Sequence, residues 1–172
     1  MTGNSIHLRA PEFGDIPEMY KWENDPEVWR ASHSIVPLSQ FALEQYVLNY
    51  SDDLFTTRQM RLMIVMKENR EQLLGAIDLF DYHPVHRRAG IGLLIKENYR
   101  GKGYASEALE LMLKYCFNTL NLHQVYCNIS ADNAISIRLF KTHGFEEAGI
   151  KKQWRNHDNI WIDELFFQHI KK

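Results

Sequence analysis

The sequence predicts an α+β (mixed α/β) fold, with a mixed, mostly antiparallel sheet of about seven strands and about four helices. Two observations lead to this prediction. Short apolar or alternating runs recur along the chain, as strands require, and stretches of helical spacing that begin at good N-cap residues separate them. The 172 residues also contain no repeat, low-complexity tract or long Pro/Gly/Ser linker. We therefore expect one domain over residues 1–172.

The first fifty residues are predicted to form one strand and two helices. Residues 5–9 alternate apolar and polar side chains, which indicates a strand. Asp15 is a good N-cap for a helix over 16–24, which a proline then ends. Residues 27–38 are expected to be irregular, and Ser39 then caps a second helix.

The middle of the chain is predicted to form three strands in a meander. Residues 61–66 (RLMIVM) and 73–80 (LLGAIDLF) flank the polar segment KENREQ, a pattern typical of a hairpin. A short apolar strand, AGIGLLI over 89–95, follows and can pair with the second.

The last third of the chain alternates helices and strands. A helix over about 104–118, with one apolar face, precedes a strand at 123–130. Asn133 caps the next helix, Gly144 ends it, and two further strands follow. The strand–helix–strand unit over 89–130 requires one parallel pair inside an otherwise antiparallel sheet.

The composition indicates an ordinary globular protein of a reducing compartment. The formal net charge is −2, so general binding to nucleic acid or to an anionic membrane is not predicted. Cys116 and Cys127 lie in apolar runs outside any CxxC spacing, where a thiol acts as a small hydrophobe. No stretch reaches the roughly 18 apolar residues of a membrane span, and no signal core opens the chain. We expect a soluble, cytoplasmic protein.

A loop between the third strand of the meander and the next helix suggests an anion site. It reads ENYRGKGYASEAL, in which Gly101 and Gly103 allow several amides to point at one spot. The helix start adds about half a positive charge, and Arg100 and Lys102 add two cations, so the loop suits a diphosphate. An ordinary turn with solvated cations is the alternative on the local pattern alone. Nucleotide-binding motifs do not fit, because GxxxxGK[ST] and the third Rossmann glycine are missing.

The same loop resembles the acetyl-coenzyme A signature of the GNAT superfamily of N-acetyltransferases, R/Q-x-x-G-x-G/A, in the run RGKGYA. A later run, NAISIRLFK followed by Gly144-Phe145, resembles the family's N-x-x-S/A…K-x-G-F segment. The segments HPVHRRAGIGLLI and NYRGKGYASEAL look most like spermidine acetyltransferases and ribosomal-protein N-terminal acetyltransferases. The resemblance implies the GNAT fold, with a splayed parallel strand pair, and acetyl-CoA as co-substrate.

The resemblance also implies where coenzyme A binds. The pyrophosphate is expected on the amides of residues 100–106, and the pantetheine arm is expected to pair like an extra strand with residues 93–95. The helix after Asn133 is expected to form the far wall of the groove. The implied cofactor-binding residues are Leu93, Leu94, Ile95, Arg100, Gly101, Lys102, Gly103, Tyr104, Ala105, Ser106, Asn133, Ser136, Arg138, Phe140 and Lys141.

Acetyl transfer requires a neutral amine and therefore a general base. At pH 7, deprotonating a lysine-like amine costs roughly 4–5 kcal/mol, against about 1–1.5 kcal/mol for a protein N-terminus. Asp78 is the predicted base and Asp81 a second candidate; for each, the alternative is a solvated strand-end carboxylate. Relatives often carry a carboxylate where this chain has Gly90, so one expected base is missing here.

The leaving thiolate requires a proton. Many family members provide a tyrosine where this chain has Phe140, which has no proton to donate. Ser136, one helical turn earlier on a similar face, is therefore the predicted acid, and Tyr104 is a weaker candidate. A structural role is the alternative for both.

The acceptor site is expected near Trp29 and His33, which lie in the segment that forms the acceptor wall in relatives, together with Asp81. Carboxylates in the run over 158–164 either attract a cationic acceptor or face solvent. The acceptor stays open between a polyamine or other small amine and a protein N-terminus. Direct transfer in a ternary complex is expected, since no catalytic cysteine is evident.

Two other classes of function compete with the enzyme. One is a non-catalytic acyl-CoA-binding module or sensor, which Phe140 and Gly90 keep in contention, and the other is a phosphate-binding hydrolase. No metal site is predicted, because His83 and His86 lack a third ligand at recognisable spacing. The oligomeric state is left open, a homodimer included.

Overall fold

One mixed sheet organises the part of the chain that the computed structural model describes, residues 1–31, 36–50 and 53–172. Its strand order is β1-β2-β3-β4-β5-β7-β6, and all neighbours pair antiparallel except β4 and β5, which are parallel. The predicted fold class, the meander and the parallel pair are confirmed. The strands are β1 Ile6–Arg9, β2 Met60–Met66, β3 Leu73–His83, β4 Arg88–Ile95, β5 Gln124–Ser130, β6 Glu146–His157 and β7 Ile160–Ile170.

The described residues contain six α-helices rather than about four. None of them combines the length and the apolar composition that a membrane crossing requires. A π-helical turn, Tyr115–Thr119, continues α5. The helices are α1 Ile16–Glu23, α2 Pro26–Ala31, α3 Gln40–Leu48, α4 Leu54–Thr57, α5 Tyr104–Lys114 and α6 Ala134–Thr142.

The expectation that residues 27–38 are irregular is wrong for the start of that segment, where α2 forms. Pro26 occupies its first position, where the fixed φ of proline suits a helix and the missing N–H has no partner to lose. The amides of Val28 and Trp29 both donate to the carbonyl of Asp25 at 3.0 Å. The proline that was expected only to end α1 therefore also begins the next helix.

The sequence predicts that the Asp15 side chain caps α1, but the structure shows no such hydrogen bond. It ends a 3-10 turn, Phe13–Asp15, and is buried. Its carboxylate accepts from both terminal nitrogens of Arg9, at 2.6 and 2.8 Å, and from the amide of Glu12 at 2.8 Å. Burial makes an unpaired carboxylate costly, so the ion pair to β1 replaces the cap. The caps predicted at Ser39 and Asn133 are confirmed, each accepting an amide at 3.1 Å.

The two faces of the sheet carry separate hydrophobic clusters, which α5 and α6 cover on one side and α1 and α3 on the other. Strand β3 contributes to both, since Ile77 and Leu79 point into the larger cluster and Ala76 into the smaller one. Below, the face under α1 and α3 is called the acceptor face. Asp78, two positions after Ala76, lies on this face as well.

Candidate active site

Strands β4 and β5 separate shortly after they begin to pair. Their parallel register covers three positions, which end where Gly90 lies opposite Tyr126. Beyond that point β4 continues to Ile95, paired with β3 on its other edge, and β5 continues to Ser130, paired with β7. The facing edges of 91–95 and 127–130, which we call the notch, show no strand pairing with each other in the described chain. Their N–H and C=O groups are available to an extended ligand.

The glycine loop leads from the end of β4 into α5. Gly101 and Gly103 have φ of +74° and +85°, a left-handed conformation that other residues rarely adopt. The first amide of α5 with an acceptor is that of Glu107, which donates to the carbonyl of Gly103 at 3.1 Å. Among the residues that the structure describes, none accepts from the amides of 101–106 through its main chain. Unpaired amides at a helix start are suited to an anion, as the sequence predicts for this loop.

The basic residues of the loop are held in different ways. The amide of Arg100 donates to Glu97 at 3.1 Å, which occupies one amide of the run 100–106 that was expected to face the pyrophosphate. The Arg100 side chain donates from Nε to the carbonyl of Ile95 at 3.1 Å, so its guanidinium lies where the notch meets the loop. The Lys102 ammonium lies 5.4 Å from the centre of the Tyr99 ring. The Arg100 guanidinium is therefore hydrogen-bonded to the main chain, whereas the Lys102 ammonium lies near an aromatic ring.

A groove of about 360 Å³ separates the start of α5 from α6. Ser106 and Arg138, both predicted, line it together with His143. Nδ1 of His143 lies 2.8 Å from the carbonyl of Leu139, and Nε2 lies 2.9 Å from Oγ of Ser106. Because a carbonyl only accepts, the neutral ring carries its proton on Nδ1, and the hydroxyl of Ser106 donates to Nε2. His143 was not among the predicted residues.

The remaining predicted residues of α6 are engaged in other contacts. Asn133 caps the helix by accepting from the amide of Ser136. Phe140 is 5% exposed and packs edge-to-face on Phe145, with ring centres 4.9 Å apart. Lys141 lies 3.9 Å from a Glu147 oxygen. Ser136 is half-buried, on the same helix face as Phe140 and one turn nearer the helix start. Their cofactor roles stay predictions.

Of the loop residues, Tyr104 and Ala105 pack on the larger cluster, so only their amides face an anion. On β4, Leu93 packs on the larger cluster and Leu94 on the smaller one, which leaves the main-chain edge between them for a ligand.

A cavity of about 400 Å³ opens on the acceptor face between α1, α3, β2 and β3, and we call it the α1–α3 cavity. Arg61 lies in its wall between two carboxylates. Nε and Nη2 of Arg61 donate to the two oxygens of Asp78 at 2.7 and 2.9 Å, and Nη1 pairs with Glu23. The cavity is lined by Met19, Glu23, Leu38, Ala42, Leu43, Tyr46, Gln59, Met60, Arg61, Asp78, Leu79 and Phe80.

These ion pairs keep Arg61 charged. Burial opposes its charge, but the two carboxylates outweigh that effect, so the pKa of Arg61 lies above its usual range. The predicted base, Asp78, therefore has one hydrogen bond on each carboxylate oxygen and keeps its remaining lone pairs for a substrate.

Gly90 leaves room for an aromatic ring. A Cβ at Gly90 would lie 2.3 Å from the ring of Phe80, and one at Gly92 would lie 3.7 Å from it. The Phe80 ring faces Tyr126 edge-on at 5.9 Å. The Tyr126 hydroxyl donates to Asp81 at 2.7 Å, and burial together with this bond raises the pKa of Tyr126. An aromatic pair thus lines the closed end of the notch.

The predicted acceptor residues lie in several places. Trp29 donates from its indole nitrogen to the carbonyl of Glu23 at 2.6 Å, which joins α2 to the end of α1. His33 lies outside the described residues. Asp81 is exposed and bonded to Tyr126.

The carboxylates of the C-terminal hairpin are paired with cations. Glu164 is fully buried and accepts from Lys151 at 2.9 Å and from Arg155 at 2.7 Å. Asp163 accepts from Lys152 at 2.8 Å. These two side chains therefore do not present uncompensated negative charge to an acceptor.

A profile of the GNAT acetyltransferase domain matches residues 5–146. This chain belongs to the GNAT acetyltransferase family. The family transfers acetyl groups from acetyl-CoA, so the GNAT resemblance of the glycine loop and of the segment after Asn133 is confirmed.

Relatives of this GNAT protein include the spermidine N(1)-acetyltransferase of Escherichia coli (strain K12), which is 27% identical over 98% of this chain and 89% of that protein. An N-acetyltransferase of Bacillus licheniformis, p20, is 27% identical over 97% of this chain and 93% of that protein. Among solved structures, the spermidine N-acetyltransferase from Vibrio cholerae in complex with CoA and spermine has a TM-score of 0.85 at 23% identity, covering 96% of this chain and 95% of that one. The two proteins share the same fold.

Proposed function

We propose that this GNAT protein moves the acetyl group of acetyl-CoA directly to a primary amine in a ternary complex. The observation that carries the proposal is the continuity of the donor site. The notch, the guanidinium of Arg100 and the free amides of 101–106 follow one another along a single strand–loop–helix connection. These groups suit an extended pantetheine arm and the diphosphate that follows it.

The state of the cysteines supports direct transfer. Cys116 and Cys127 are at most 2% exposed. Burial raises the pKa of Cys116 to about 12 and raises that of Cys127 as well. An acetyl-enzyme intermediate would require an accessible thiolate, and neither residue supplies one. The amine nitrogen would instead bond to the thioester carbon as the C–S bond breaks.

Two protons move in this step. Asp78 is the proposed base: it lies in the wall of the α1–α3 cavity and would take the proton of the attacking ammonium. Ser136 is the proposed acid for the CoA thiolate, since Phe140, one turn further along the same face, has no proton to donate. The oxyanion would be stabilised by amides of the unpaired β4 edge.

The acceptor is proposed to be a small amine. Relatives that match most of the chain include spermidine acetyltransferases, which supports a small amine as the acceptor. The α1–α3 cavity has the size of an ordinary small-molecule site. A homodimer stays a prediction.

The test is to incubate the protein with acetyl-CoA and a panel of amines and peptides, and to follow release of free CoA thiol. Thiol release that depends on an amine supports the enzyme. Tight CoA binding without thiol release for any acceptor would instead favour an acyl-CoA-binding module. Stabilisation by nucleotides, with no preference for CoA, would favour a phosphate-binding hydrolase.

A further inference from the structure

We propose that the α1–α3 cavity binds the body of the acceptor, and that this acceptor is a primary amine with one positive charge and an apolar body rather than a polyamine. The inference rests on the proposed function and names the substrate class of that site. It is drawn from the charges and surfaces of the cavity, together with its position relative to the notch.

The charged groups that line the cavity are two carboxylates and one guanidinium, with a net charge of −1. Arg61 is bonded to both Glu23 and Asp78, so it offsets one of the two negative charges. The remaining net charge of −1 is balanced by the reacting ammonium when it lies beside Asp78. A second ammonium further along the substrate would have no counter-charge among the described residues of this wall, and burying an unpaired ammonium is strongly unfavourable.

The rest of the wall is apolar or neutral. Met19 of α1, Leu43 and Tyr46 of α3, and Phe80 of β3 are among the residues that line it. Burial raises the pKa of Tyr46 to about 12, so its phenol stays neutral and can donate one hydrogen bond. Such a wall stabilises an alkyl or aryl body by removing it from water, at about 25 cal/mol per Å².

The cavity also lies next to the place where the acetyl group is expected. Asp78 is paired in register with Gly92 of β4, and its Cβ is 3.9 Å from where a Cβ of Gly92 would stand. Phe80 covers β4 on the same face. One strand spacing of about 4.8 Å therefore separates the cavity wall from the strand that borders the notch. An amine held at Asp78 can reach the notch while its body stays in the cavity.

Two nearby carboxylates of the C-terminal hairpin already have cation partners. Glu164 is held by Lys151 and Arg155, and Asp163 is held by Lys152. Asp81 accepts from the Tyr126 hydroxyl on an exposed turn. The Asp81 carboxylate keeps its charge, but it does not line the cavity, whose own charged groups balance one ammonium.

The test compares acceptors that differ by one charge. Hexylamine and hexane-1,6-diamine have the same body, and phenethylamine and spermidine extend the panel in each direction. We expect kcat/KM to be at least about tenfold higher for hexylamine than for the diamine, with phenethylamine accepted and spermidine poor. Equal or better use of the diamine or of spermidine overturns the inference while leaving the proposed function intact. Absence of turnover with every amine and peptide overturns both.

A variant that adds a negative charge to the cavity tests the same comparison of diamine and monoamine. Gln59 is exposed at the edge of the cavity, and Gln59→Glu adds one negative charge without changing the size of the side chain. We expect the ratio of kcat/KM for diamine over monoamine to rise by roughly fivefold, the size of one partly solvated ion pair. Gln59→Met, which removes the polar group without adding charge, is the matched control and should leave the ratio unchanged. An unchanged ratio in Gln59→Glu contradicts binding of the acceptor in this cavity.

Discussion

The glycine loop before α5 and the α1–α3 cavity serve the two substrates with different kinds of atoms. The loop offers the main-chain amides of six consecutive residues, 101–106, at a helix start. The cavity offers side chains from α1, α3, β2 and β3, joined by the Glu23–Arg61–Asp78 ion pairs. Main-chain groups are the same in every residue, so a short motif specifies the loop, whereas the cavity depends on which side chains the fold brings together.

The comparison predicts that changes in the cavity affect the acceptor and leave the donor site alone. Asp78→Asn should lower kcat by about 10²–10⁴-fold, because it removes the proposed base, while the Kd for CoA stays unchanged. Steady-state kinetics and calorimetric titration of CoA measure the two effects. Asp81→Asn, on the same strand, is the matched control and should lower kcat less than tenfold. Equal losses in the two variants would show that Asp78 has no special role.

Changes in the loop should do the reverse. Gly103→Val forces a β-branched residue into a φ of +85°, at a strain of roughly 1–3 kcal/mol, so the Kd for CoA should rise about 10- to 100-fold. No atom lies within 4 Å of the added Cβ, so the fold itself should persist. Gly149→Val is the control, because this strand glycine also has open space but no positive φ. An unchanged CoA affinity in Gly103→Val would refute the diphosphate site.

The ion pairs of the acceptor face should make its stability depend on pH. Burial raises the pKa of Glu164, but its bonds to Lys151 and Arg155 outweigh that effect and hold the pKa below its usual value. The ion pairs of Glu164 therefore stabilise the folded protein fully above the unfolded-state pKa of this carboxyl, about 4.3. The stabilisation is lost as the pH falls through the lower pKa that Glu164 has in the folded state.

We expect Glu164→Gln to lower the free energy of unfolding by about 2 kcal/mol at pH 7, with the difference from the parent shrinking below pH 4. Urea unfolding at a series of pH values measures it. A difference that does not vary with pH would mean that Glu164 acts through packing alone.

The smallest effect is expected from a side chain of the donor site. Ser106→Ala should weaken CoA binding roughly two- to fivefold, because one hydroxyl is lost while the amides of the loop remain. Thr142→Val, which removes a hydroxyl bonded to the carbonyl of Arg138 in the same groove, is the control. A loss above about 50-fold for Ser106→Ala would mean that the side chain, and not the main chain, dominates the site.

One ion pair of the α1–α3 cavity could be predicted from the hairpin of β2 and β3. If Met66 and Leu73 flank the KENREQ turn in register, counting back along both strands places Arg61 opposite Asp78, which is the observed pair. A single cation and a single anion in two apolar strands were the signal for this ion pair. Glu23, which completes the network, comes from α1, and no local pattern connects it to β2.

Other contacts had no signal in the sequence. The ring of Phe80 fills the space above Gly90, so a residue ten positions away leaves no room for a side chain there. His143 reaches Ser106 across two helices, and Asp15 pairs with Arg9 instead of capping α1. In each case a burial that only the folded chain creates decides which partner a polar or aromatic group takes.

The sequence by itself determined the three-strand meander, the parallel crossover, the caps at Ser39 and Asn133, and the donor loop with its family. These features depend on periodicity, backbone conformation and main-chain groups, which neighbouring residues specify. Only the tertiary structure decided where the notch begins, the ion pairing of Asp78 and Glu164, and the charge of the α1–α3 cavity. The reason is physical: these properties are set by distances between side chains from separate elements, and such distances are fixed when the two faces of the sheet pack.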